Sequence, residues 1–223
     1  MSSSRRAMTL PNKIALGFLL LSALALVGFF VASNANDATE REDLAASAQV
    51  LRENSHRLSS PEDEKAVLVE FLDFECESCG AVYPFVEELR AEYGDQVSFV
   101  SRYFPLPGHP NSMTAAVAVE AAAQQGEFEA MYQRMFETQT EWSHSDQPQA
   151  PTFRSYADSL GLDMEAYDTA VADPATQARV MLDKMDGTGL GVSGTPTFFL
   201  DGELIEPATQ EEFRQLIEAA ISS

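Results

Sequence analysis

Hydrophobic and polar positions repeat with different periods along this chain, and each change of period predicts an element. Ile14 to Ala32 is apolar without a single charge, interrupted only by Gly17, Ser22 and Gly28. As a helix, at about 1.5 Å of rise per residue, it is roughly 28 Å long and matches the ~30 Å hydrocarbon core of a bilayer. Residues 34–60 are polar, with one short helical period at Leu44, Val50 and Leu51, and read as a tether. Ala66 to Phe74 (AVLVEFLDF) is almost continuously apolar and rich in β-branched and aromatic residues, the pattern of a strand buried on both faces of a parallel or mixed sheet. Val82, Phe85, Val86, Leu89 and Tyr93 then recur at helical spacing until Gly94 stops the helix, and Gln96 to Phe104 alternates like a second strand.

The sequence from Ser112 to about Met185 predicts a block of helices instead. One is alanine-rich, one carries Phe128, Met131, Tyr132, Met135 and Phe136, and one opens at Asp173-Pro174. A polar loop ending near residue 151 lies between them. Thr197 to Leu200 returns to strand, Asp201-Gly202 is a two-residue hairpin signal, and Glu203 to Ile205 pairs back. Phe213, Leu216, Ile217, Ala220 and Ile221 form the stripe of a closing helix that begins at Thr209. The order is therefore β-α-β, a helical block, then β-β-α: an α/β fold whose βαβ unit takes the right-handed crossover.

Charge adds orientation. Arg5, Arg6 and Lys13 precede the apolar run, and the first charge after it is Asp37, so the positive-inside rule places residues 1–13 in the cytoplasm, residues 14–33 across the membrane as a single-pass anchor, and the remainder outside. A cleaved signal peptide ending near Ser33-Asn34-Ala35 is the alternative, and it exports the same domain. Beyond residue 36 lie all 35 acidic residues and all but three of the 14 basic ones, a balance of −24 that repels nucleic acid and anionic lipid. With 45% hydrophobic residues the exported part has enough apolar sequence for one substantial core, residues 61–223.

Candidate chemistry centres on FLDFECESCG, residues 71–80, which holds the only two cysteines. At the start of a helix, three positions apart, Cys76 and Cys79 share a face at a separation that small shifts bring to disulfide geometry. The N-terminal N–H groups and dipole favour a thiolate on Cys76, the cysteine nearer the open end, and leave Cys79 one turn inside to resolve a mixed disulfide. Zinc wants four ligands, whereas the remaining donors, His56, His109 and His144, are scattered and carry no ligand spacing; these histidines read as surface or loop residues. A purely structural disulfide is the other alternative, although so short a loop constrains the unfolded chain little. Glu70, on the parity of Leu68, Leu72 and Phe74, is expected to be partly buried, shuttling a proton to and from Cys79 or paired with Arg102 in the second strand, the other alternative being a carboxylate that merely escapes at a strand end.

VEFLDFECESCG, the helical insertion at about 112–186 and GVSGTPTFFLDG near the C-terminus together resemble the DsbA-like thioredoxin-fold thiol:disulfide oxidoreductases, of the membrane-anchored bacterial type. The resemblance covers residues 61–223. It implies that Cys76 is the nucleophile, Cys79 the resolving cysteine and Glu70 the buried acid. It also implies that Thr195-Pro196 is a cis-proline bond whose Thr195 backbone holds a client peptide, and that no cofactor is needed beyond the Cys76–Cys79 disulfide. The implied partners are exported cysteine-containing clients and a quinone-linked membrane protein that restores the disulfide. Strong oxidases of the group carry a histidine between the cysteines where this chain has Glu77-Ser78, with Glu75 just before. Those carboxylates are expected to oppose the helix dipole, raise Cys76 above the ~3.5 of the strongest oxidants and make the disulfide less oxidising. A reductase or isomerase, or an anchored client-binding chaperone, remains the alternative function.

Overall fold

A computed structural model describes residues 45–223, together with Leu26, Phe29 and Phe30. Apart from those three residues, the expected anchor at 14–33 lies outside the described residues, as does the first part of the tether, and among those described no helix is long and apolar enough to cross a membrane. The chain divides into two units, Met1–Ala46 and Ser47–Ser223, and all the elements below belong to the second.

Five strands form one mixed sheet: β1 (His56–Arg57), β2 (Ala66–Leu72), β3 (Val97–Tyr103), β4 (Thr197–Leu200) and β5 (Glu203–Ile205), in the order β1-β3-β2-β4-β5. β2 runs parallel to β3 and antiparallel to β4, and β1 and β5 close the two edges antiparallel. The continuous apolar run of β2 is thereby explained: it is central, paired on both sides, and six of its seven residues are buried. Between β2 and β3 lies helix α1 (Glu77–Tyr93), the crossover of the βαβ unit. The turn from β4 to β5 has Asp201 at φ 51° and Gly202 at φ 88°, the two left-handed positions that the Asp-Gly pair supplies.

Strand alternation gives the sheet two distinct faces. Leu68, Glu70 and Leu72 of β2 register with Phe99, Ser101 and Tyr103 of β3 on one face, which joins the larger core with Phe85, Val86 and Leu89 of α1. Phe213 and Ile217 of the closing helix, numbered α8 below, belong to the same core. Val69 and Phe71 share the other face with Val100, Phe104, Val192 and Phe199 in a smaller cluster.

The helical insertion comprises α2 (Ser112–Ala123), α3 (Phe128–Glu137), α4 (Gln139–Trp142), α5 (Ala150–Ser159), α6 (Met164–Ala172) and α7 (Pro174–Gly189). Asp173 caps α7 by accepting the Ala175 N–H, as its position before Pro174 predicts. Near the end of α7, Gly187 lies so close to the sheet that a Cβ there would sit 2.8 Å from the Phe104 ring, so only glycine allows the approach. α8 (Gln210–Ile221) closes the fold, capped by Thr209.

The folded unit begins earlier than the polarity of residues 34–60 implied. Val50 and Leu51 pack on the smaller cluster, and β1 adds a strand to the sheet edge. The Arg52 side chain meets Asp186 at 2.5 Å, and His56 stacks on Phe128 with ring centroids 4.1 Å apart. Polar side chains with buried polar partners look like tether in sequence because the partners are more than sixty residues away.

Candidate active site

Cys76 is the N-cap residue of α1, with extended backbone at φ −75° and ψ 123°. Its amide donates to the Asp73 carbonyl at 3.1 Å, which closes the turn after β2 and delivers the sulfur to the helix tip. Cys79, one turn on, is fully buried, and both cysteines are free thiols in this structure. The Thr195–Pro196 peptide is cis, and the Cys76 thiol donates to the Thr195 carbonyl at 3.3 Å. The site is therefore built from the β2–α1 turn and the turn that enters β4, two neighbouring strands more than a hundred residues apart in sequence.

The two sulfurs ionise very differently. The Cys76 pKa falls from 9.0 to about 5, with a hydrogen bond from the Cys79 thiol the largest influence and partial burial opposing it. The Thr195 side chain and the backbone N–H groups of Cys79 and Ser78 contribute to the same lowering. These amides aim at the sulfur without reaching full capping geometry. Cys79 shifts the opposite way, well above the thiol range, chiefly by burial and then by its hydrogen bond to Cys76 and the charges of Glu70 and Cys76. The pair is thus a thiolate beside a thiol at neutral pH.

Glu70 is more deeply buried than its sequence position suggested, 6% exposed, and within electrostatic reach of both cysteines. Burial, then the charges of Glu87 and Cys76, push its pKa from 4.5 up to about 8, so it carries a proton at neutral pH. The alternative pairing with Arg102 does not occur. Glu70 registers with Ser101, and Arg102 registers with Phe71 on the opposite face, 5.2 Å from that ring. There Arg102 bonds Asp183 and Asp186 of α7, each at 2.6 Å.

The acidic residues around the motif also need correction. Glu75 does not point at the thiolate: it is fully buried, and its carboxylate accepts the Asn111 amide at 2.6 Å and the His144 amide at 2.9 Å. Glu77 is exposed and engages the His144 ring at 2.9 Å. Both carboxylates are engaged by partners on other segments rather than by the Cys76 sulfur, which the spacing of the motif did not indicate.

Several residues that build the site are not evident in the sequence. Buried Gln139, from α4, donates to the carbonyls of both Phe74 and Cys76 at 2.8 Å. Asp73 accepts the amides of Glu75 and Leu106 and holds the His109 ring at 2.6 Å. The only local signal was an aspartate inside an apolar strand, since the partners come from distant segments. From Pro196 onward, Val82, Phe85, Phe198, Leu204, Ile205 and Phe213 line a groove of about 420 Å³.

Comparison with known proteins places this geometry. The sequence profile of the family described as Thioredoxin matches residues 61–219. A thioredoxin-like oxidoreductase from Silicibacter pomeroyi is similar in structure, with a TM-score of 0.64 at 25% identity, over 77% of this chain and 95% of that one. Oxidised BdbD from Bacillus subtilis gives 0.66 at 21% identity, over 79% of this chain and 98% of that one. The catalytic domain of Proteus mirabilis ScsC gives 0.64 at 20% identity, over 82% and 99%. Among curated proteins, the Na(+)/H(+) antiporter NhaA 1 of Mycobacterium sp. strain KMS is 37% identical over 154 residues. That match takes in 68% of this chain and spans 24% of the antiporter's length.

Proposed function

Because the chain belongs to the thioredoxin family, we propose that it is a thiol:disulfide oxidoreductase acting outside the cytoplasm, anchored by residues 14–33, that introduces disulfides into exported proteins. The observation that carries this reading is the asymmetry of the pair: a Cys76 sulfur that is stable as a thiolate at the tip of α1, against a buried Cys79 that keeps its proton.

The chemistry follows from that asymmetry. A client thiolate attacks Cys76 of the Cys76–Cys79 disulfide, and the Cys79 sulfur leaves and takes up a proton, with Glu70 as donor. A second client thiolate attacks the client sulfur of the mixed disulfide, and Cys76 departs as a thiolate. The client loses two electrons and two protons; the enzyme gains both electrons and one proton, and the other proton goes to solvent. A low leaving-group pKa speeds the second step, and a stabilised thiolate makes the disulfide more oxidising. At about 5, Cys76 lies between the ~7 of thioredoxin and the ~3.5 of the strongest oxidants, which supports an oxidant of intermediate strength. Thr195 offers its backbone to an extended client stretch, with the groove beside Pro196 receiving apolar side chains. Regeneration of the disulfide falls to a quinone-linked membrane partner.

The test is oxidative refolding of a reduced multi-cysteine client by the oxidised protein and by Cys76→Ser. Activity is expected to vanish in the variant, and full activity without Cys76 would overturn the reading. Alkylation trapping in cells then fixes direction: a mostly oxidised pair supports an oxidase, a mostly reduced one a reductase or isomerase.

A further inference from the structure

The mouth of the site carries two histidines that the cysteine chemistry above does not use. His109, on the loop after β3, places Nδ1 2.6 Å from the buried Asp73 carboxylate. Asp73 also receives the Cys76 amide on its carbonyl, so a single residue fixes both the ring and the N-cap of α1. His144, on the loop after α4, stands edge-on to His109 with ring centroids 5.5 Å apart at 89°. Its backbone lies in the left-handed region, at φ 56°, its amide is tied to Glu75 and its ring to Glu77. The loop bearing His109 is itself braced, since the Leu106 amide bonds Asp73 and Lys184 of α7 donates to the Pro105 carbonyl at 2.7 Å.

Building on the oxidoreductase reading, we propose that His109 is a positioning residue for the Cys76 thiolate: an imidazole clamped by Asp73 that, when protonated, supplies from outside the motif the positive charge absent from the Glu77-Ser78 interior. The charged groups facing it are Asp73 and Glu75 from the turn, Cys76 from the helix tip, and His144 backed by Glu77 from the facing loop. Lys184, its ammonium occupied by Pro105, is the nearby cation contributed by α7. Burial works against protonation of His109, but the hydrogen bond and charge of Asp73, together with the charges of Cys76 and Glu75, outweigh it. Conversion of the disulfide to thiolate and thiol takes two electrons and one proton, the proton going to Cys79. Near the His109 midpoint the new thiolate draws a further fraction of a proton onto the ring. Stabilisation of the thiolate is thus present while His109 is protonated and is lost as pH rises through its midpoint.

Linkage makes the effect reciprocal, which gives two independent readouts. The first is the Cys76 titration of the reduced full chain, followed by thiolate absorbance. His109→Gln is expected to weaken Cys76 acidity about threefold to tenfold, the scale of one partly screened charge nearby. His109→Arg, which keeps the charge, should stay within about twofold of the parent. The second readout needs no substitution: the NMR titration of the His109 ring, which should have a higher midpoint in the dithiol than in the disulfide form. Superimposed titrations of parent and His109→Gln, equal shifts in the Gln and Arg variants, or a ring midpoint indifferent to redox state would each overturn the proposal. Both readouts follow ionisation rather than turnover, so they can fail while Cys76-dependent client oxidation stands, and that activity can fail while they succeed.

Discussion

Glu70 and the Asp183–Asp186 pair are carboxylates sunk against opposite faces of the same sheet, and the protein treats them in opposite ways. The aspartates receive Arg102, with Arg52 and Arg179 adding contacts of 2.5 Å to Asp186 and 2.7 Å to Asp183, so their buried charge is compensated. Glu70 has no basic partner among the described residues and is neutral instead, its pKa raised by burial to about 8. One residue of strand register separates the two outcomes, because Arg102 follows Ser101, which lies beside Glu70. Had the arginine fallen on the cysteine face, Glu70 would be a fixed anion with no proton to give Cys79. The difference shows what pairing does to a buried acid: a partnered one fastens elements together, and an unpartnered one titrates.

The largest test of that contrast is Arg102→Met. It strands two buried aspartates and should cost about 3–5 kcal/mol in urea unfolding at pH 7, with the Cys76 titration left in place. A loss below about 1 kcal/mol would mean the ion cluster binds nothing together. Glu70→Gln should act through pH. The folded state holds the Glu70 proton up to about 8, whereas the unfolded chain releases it near 4.5, so the unfolded state binds fewer protons between those values. Stability contributed by this group is complete below pH 4.5 and declines as pH rises toward 8, by about 3 kcal/mol at pH 7. The difference in urea midpoint between parent and Glu70→Gln across that range should show this decline, and a flat difference would contradict a raised pKa. The smallest effect is expected from Arg52→Ala, whose side chain is partly exposed: at most about 1 kcal/mol in the same assay.

Local periodicity made most of the sheet, the crossover helix and the closing helix legible, because each buries a stripe or a run that its own residues spell out. The placement of the cysteine pair and Glu70 was legible for the same reason, since they lie within ten residues of one another on β2 and the tip of α1. What could not be read is what depends on register or on distant partners. AVLVEFL and VSFVSRY do not say that Phe71, rather than Glu70, stands beside Arg102. Glu75 looks solvent-facing in CESC context because the amides that hold it belong to Asn111 and His144. Residues 50–58 look like linker because their polar side chains find Glu120 and Asp186 only after folding.

Gln139 sets a limit on how this protein can be taken apart. It reaches from the helical insertion to the carbonyls flanking Glu75, and a Cβ on Gly80 would collide with its side-chain oxygen at 2.0 Å. The insertion is therefore not an exchangeable module. A chimera that grafts another relative's helices onto this sheet must bring a residue that serves the same two carbonyls, and a library that varies the motif must hold Gly80 fixed while Gln139 remains.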